Sequence, residues 1–181
     1  MKTISDKDFN LVDKDYTFKY QIGLTEKLDS TRLNFDQNIL NEIVLWKVNR
    51  YANFPESIIN RLNKIKNTDT IIDEKLTREI LSSLLVLKGV ALAMASTILR
   101  FKNKNIYQII DQRVYRIIYG SELKTTKPKK KEEIENQINL YLKYLEDLKK
   151  SSIKLKIDYS KADRILYMAD KRVNKKLKIK T

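Results

Sequence analysis

The sequence predicts an all-α protein, a helical bundle with one short strand or extended arm at its start. Three observations predict it. Apolar residues recur at three- and four-residue spacing over most of the chain beyond residue 34. Only three glycines and two prolines occur in 181 residues, too few turn-formers for a sandwich or barrel. Apolar residues make up 42% of the chain, enough for a packed core.

Residues 1–34 are of mixed character. Tyr16, Phe18, Tyr20 and Ile22 alternate with polar residues, the pattern of a short strand or of an arm packed on the domain. Residues 35–181 read as one helical domain, without an internal repeat or a linker. In "FDQNILNEIVLWKVNRYA", Leu40, Val44, Val48 and Tyr51 share a helix face. "FPESIINRLNKIK" opens a second helix with Pro55 near its first turn. "TIIDEKLTREILSSLLVL" gives a third, with Asp73 as its N-cap and Leu76, Ile80, Leu84 and Leu87 as its seam. "ALAMASTILRF" is a fourth, rich in small residues. "QRVYRIIY" follows Asp111 and closes at Gly120. A basic loop, Lys124 to Lys131, leads to "KEEIENQINLYLKYLEDLKKS", with Ile134, Ile138, Tyr141, Leu145 and Leu148 on one face. "DYSKADRILYMADKRVNKKL" is the last, capped by Asp158 or Ser160.

The composition narrows the chemistry. Without cysteine there is no disulfide, no thiolate zinc site and no iron–sulfur cluster. Without histidine, acid–base work falls to Asp, Glu, Lys or Tyr. No apolar run approaches the roughly 20 residues that span a bilayer. The first residues have alternating charges and no apolar signal core, so a cytoplasmic protein is expected; a nucleic-acid partner would make it nucleoid-associated, and a monomer is expected. Lys and Arg number 37 against 23 acids, a net charge of +14, which favours a polyanionic partner. An A·T-rich genome also inflates Lys, but it inflates Glu and Asp with it.

The stretch "LLVLKGVALAMASTILRFKNKNIYQIIDQRVYRIIYG" concentrates the chemistry. Leu87-Lys88-Gly89-Val90-Ala91 joins two helices, and Gly89 supplies the positive φ that a tight turn needs. Val90 plugs back between the helices. The N–H groups of the turn and of the following helix can hold an anion, a phosphate oxygen foremost. An ordinary glycine C-cap in a core hairpin reads the same way.

This segment resembles the helix-hairpin-helix DNA glycosylase superfamily of endonuclease III, MutY, AlkA and 8-oxoguanine glycosylase. The family's hairpin runs apolar-Pro-Gly-Val-Gly, then three residues and Ala; here it is Leu87-Lys88-Gly89-Val90-Ala91, continuing to Ala95. An aspartate follows about 22 residues after the family's first hairpin glycine, in a phrase like Val-Asp-x-His-apolar-x-Arg. Here it is Asp111, in Ile110-Asp111-Gln112-Arg113-Val114-Tyr115-Arg116. The likeness is strong over residues 84–120 and looser over 35–180. Proline is replaced by Lys88, the second glycine by Ala91 and the histidine by Arg113. Ala93 stands where bifunctional enzymes carry the Schiff-base lysine.

The resemblance implies monofunctional hydrolysis of the N-glycosidic bond of a base flipped from double-stranded DNA. Asp111 is then the catalytic carboxylate, although an aspartate before a helix also reads as an N-cap. A carboxylate held by helix N–H groups is expected to stay ionised. DNA contacts are expected from Lys88, Gly89, Val90, Ala91, Arg100, Lys102, Lys104 and Arg113. Trp46 or Tyr51 would stack the base, or Trp46 is core. Lys124 to Lys131 is either a DNA contact or a turn. No cofactor is required, and the resemblance leaves room for a structural metal ion at the hairpin. The rivals are a non-catalytic DNA-binding module and a lyase using another lysine, such as Lys88.

Overall fold

The computed structural model describes residues 21–30, 35–47, 52 and 54–175. Among them every regular element is helical: α1 (Ile22–Ser30), α2 (Gln37–Lys47), α3 (Glu56–Leu62), α4 (Glu74–Val86), α5 (Leu92–Lys102), α6 (Gln112–Tyr119), α7 (Lys131–Leu155), a 3₁₀ turn (Tyr159–Lys161) and α8 (Ala162–Val173). The chain divides into two compact units, residues 1–51 and residues 52–181. Thus α2 groups with α1, whereas the sequence groups it with the helices downstream.

In the first unit, Trp46 staples the two helices. Its indole Nε1 donates to Thr25 Oγ1 at 2.9 Å, and its carbonyl accepts from Gln21 Nε2 at 2.9 Å. Ile22, read as the end of a strand or arm, begins α1 instead; Tyr16, Phe18 and Tyr20 lie outside the described residues. Of the expected stripe, Leu40 is 46% and Val44 59% exposed, and Val48 and Tyr51 lie outside the described residues. Two short helices cover only one side of each other, and the one buried side chain of α1 is Leu24.

The second unit carries the large core. Ile80, Leu81, Leu84 and Leu85 of α4 meet Leu92, Ala95 and Leu99 of α5 and the Ile138, Tyr141, Tyr144, Leu145 and Leu148 face of α7. Burying each such Leu or Ile contributes about 1.5–3 kcal/mol. Local signals set the helix ends. Asp73 caps α4, its carboxylate accepting from the Leu76 N–H at 2.9 Å. Gly120 ends α6 at φ 68°, a left-handed conformation. Asp158 caps the 3₁₀ turn ahead of α8, accepting from the Ser160 N–H at 2.9 Å. α7 continues past Ser151 to Leu155 and stops at Lys156, a left-handed residue (φ 55°) that is not glycine.

Candidate functional site

Asp111 closes an irregular segment, residues 103–111, that buried polar groups hold from several sides. Asn103 begins it, its side-chain amide donating to the carbonyls of Lys66 (2.8 Å) and Asp69 (2.9 Å). Two α7 tyrosines donate to the next carbonyls: Tyr141 Oη to Gln108 O at 3.0 Å, and Tyr144 Oη to Ile109 O at 2.6 Å. The Ile109 N–H donates to Asp163 Oδ2 at 3.2 Å, and the Ile110 N–H to Ser96 Oγ at 3.2 Å. The backbone leading to Asp111 is therefore held at Gln108, Ile109 and Ile110 by side chains of three helices. The Ser96 contact sets Asp111 beside the second turn of α5, about 7.5 Å of helix rise from Ala91.

The Asp111 carboxylate caps α6, Oδ1 accepting from the Val114 N–H at 2.8 Å. Asp111 is also one of the residues lining an open cleft of about 240 Å³, with Ile109, Asp163, Arg164, Tyr167 and Met168. Burial of the carboxyl raises its pKa; the N–H groups of Val114 and Arg113 and the Arg113 charge pull the other way, and Asp163 adds to the rise. Those N–H groups are present, but desolvation outweighs them.

Between α4 and α5, Leu87–Ala91 makes a tight turn. Gly89 has φ 82°, and Val90 is wholly buried. Lys88, Gly89 and Ala91 are exposed. No side chain caps the N-terminus of α5. The ammonium of Lys127, an exposed residue, donates to the carbonyls of Leu85, Leu87 (2.6 Å) and Val90 (2.9 Å). The carbonyls that would serve a metal ion at this turn are engaged by a side chain, so the residues present do not fit a metal there. Among the described residues, no group of three or more acidic side chains is placed to hold a metal either.

The basic residues expected around the turn are not gathered there. Arg100 is a correction: it is only 6% exposed, with Nη2 donating to Ser160 O at 3.0 Å and Nε 3.6 Å from Asp163. Its place in the register of Leu92 and Ser96 turns it into the core. Lys102 lies at the opposite end of α5 from the turn, about 15 Å of rise away, and donates to Asn63 Oδ1 at 3.1 Å. Lys104 follows it. Arg113 is also drawn inward, Nη1 donating to Asp170 Oδ2 at 3.2 Å beneath the Tyr167 ring. Lys88 remains at the turn itself. Trp46 is half-buried in the first unit and is not among the residues lining the Asp111 cleft; Tyr51 lies outside the described residues.

No protein-family model, curated protein or solved structure matches the chain. What the site is must come from its own residues. No helix among those described is long and apolar enough to cross a membrane.

Two residues that support the site were missed in the sequence. Asp163 and Asp170 sit on the buried face of α8 with Leu166 between them, at 2% and 0% exposure. Asp163 ties α8 to Ile109. Asp170 receives Arg116 at both oxygens (Nε to Oδ1 3.0 Å, Nη2 to Oδ2 2.6 Å), besides Arg113 and Asn174. A signal was available: aspartates at seam positions of an amphipathic helix must find partners.

Proposed function

We propose that the chain is a monofunctional DNA glycosylase of the helix-hairpin-helix type, acting on a base flipped out of double-stranded DNA. One observation carries the reading: Asp111 lines a cleft, and the residue before it is tied through its N–H to Ser96 of the helix that follows the Gly89 turn. A cap on an open surface would be solvated; this one is partly desolvated, with its basicity raised.

Glycosidic cleavage builds positive charge on the deoxyribose as the C1′–N bond breaks. A fixed anion beside C1′ stabilises that charge most in the transition state. Asp111 also accepts a proton from water as the water oxygen bonds to C1′, and the base departs with the C1′–N electron pair and takes up a proton from solvent. Tyr167, held over the Arg113 guanidinium, offers an aromatic wall to the cleft. The exposed Lys88 and the N–H groups at the start of α5 would grip the DNA backbone near the flipped nucleotide. Ala93 carries no amine, so hydrolysis rather than β-elimination is expected.

A second reading is favoured by the bond from Val114 to Asp111: the aspartate is a cap alone, and the chain is a non-catalytic duplex grip. Duplexes carrying uracil, an alkylated, an oxidised or a hypermodified base separate the two when incubated with the protein and then treated with alkali. The glycosylase reading expects alkali-dependent breaks in at least one duplex, no breaks without alkali and no borohydride-trapped adduct. Tight duplex binding with no breaks in any substrate supports the grip.

A further inference from the structure

We infer that Lys127 is a tethered cation: its ammonium fills a three-carbonyl cage in the turn between α4 and α5, a site shaped for a monovalent ion. The carbonyl oxygens of Leu85, Leu87 and Val90 converge on one point. Leu85 belongs to the last turn of α4, where carbonyls lack helical partners and the helix dipole is negative. Three carbonyls aimed at one spot repel each other unless a cation lies among them. Rings of carbonyls hold potassium in the same manner. An ammonium has three N–H donors for three acceptors, whereas water has two.

The lysine is delivered by a loop that is itself strapped down. Gln112 exchanges two hydrogen bonds with the backbone of Leu123, at 2.5 and 2.9 Å. Gln137 donates to the Thr126 carbonyl at 2.7 Å, and Glu133 accepts from the Lys129 N–H at 2.7 Å. Pro128 is buried beside Lys127. The loop that the sequence leaves as DNA contact or turn thus has a defined course, and Lys127, although an exposed residue, places its ammonium on the carbonyls of the turn. The ammonium brings together the end of α4 and both sides of Gly89, so the turn is held without an ion from solution. The lock needs neither DNA nor Asp111, and its failure would leave the proposed reaction standing.

The test is thermal unfolding at fixed ionic strength in KCl, NaCl or choline chloride, choline being too large for the cage. The wild-type Tm should be the same in all three. In Lys127→Ala the emptied cage should take an alkali cation: Tm falls by on the order of 5 °C in choline chloride and recovers in KCl or NaCl. A variant unchanged in choline chloride, or lowered equally in every salt, overturns the inference, as does a wild type that KCl specifically stabilises. Should the variant fail to fold, amine acylation of the wild type decides. Lys127 should react several-fold more slowly than Lys124 and Lys129, and equal rates overturn the lock.

Discussion

Asp111 caps α6 and is proposed to act in base excision, and substitution separates the two roles. Asparagine caps a helix as well as aspartate does. Because burial raises the Asp111 pKa in the folded state, the native protein holds more protons than the unfolded chain between the unfolded value, about 3.9, and the folded one. Stability contributed by this group is therefore lost as pH rises through that window, and the charge costs stability above it. Asp111→Asn should leave Tm at neutral pH equal or higher, and thermal scans against pH should show its advantage growing upward from about pH 4. Asp170 has the opposite sign. Arg116 foremost holds its carboxyl below the ordinary range, so its contribution is present above the ordinary aspartate value and lost as pH falls through the folded one. Removing one partner of a buried ion pair costs about 3–5 kcal/mol. Asp170→Ala should fall in that range by chemical denaturation at neutral pH.

The two left-handed glycines compare elements directly. Gly89 and Gly120 both have positive φ, and an added Cβ would meet nothing within 4 Å at either. The cost of alanine is therefore backbone strain alone, about 1–2 kcal/mol at each site. Gly89→Ala should also weaken duplex binding, because the turn presents the N–H groups proposed to hold phosphate. Gly120→Ala, at the far end of α6, should lower stability and leave affinity unchanged, as measured by denaturation and fluorescence anisotropy. Equal affinities for both variants would remove the turn from the interface. Element ends such as Asp73, Asp111 and Gly120 were legible in the sequence because each signal and its partner lie within four residues. Arg100 was legible in principle and misread: it continues the buried register of Leu92 and Ser96.

Across the whole molecule, the net charge of +14 is a weaker guide than it looks, since several cations are spent internally. Arg100, Arg113, Arg116 and Lys127 each bond to groups within the protein. Their partners lie 37 to 60 residues away in sequence, which is why periodicity and local motifs could not assign them. The helical class and the core faces of α4 and α7 were readable from spacing alone; the pinned 103–111 segment was not, because side chains from α5, α7 and α8 define it. Lys88 remains exposed at the turn, so Lys88→Gln should make the log–log salt dependence of duplex affinity shallower by about 0.9, the value for one phosphate contact.

The central claim is that the Asp111 carboxylate performs base excision. Single-turnover base release by wild type and Asp111→Asn, with duplex affinity measured on the same samples, tests it most directly. The account predicts a loss of about 10²–10⁴ in rate at unchanged affinity, with the wild-type rate rising with pH through a limb displaced upward from the ordinary aspartate value. An asparagine variant that releases base as fast as wild type would contradict it.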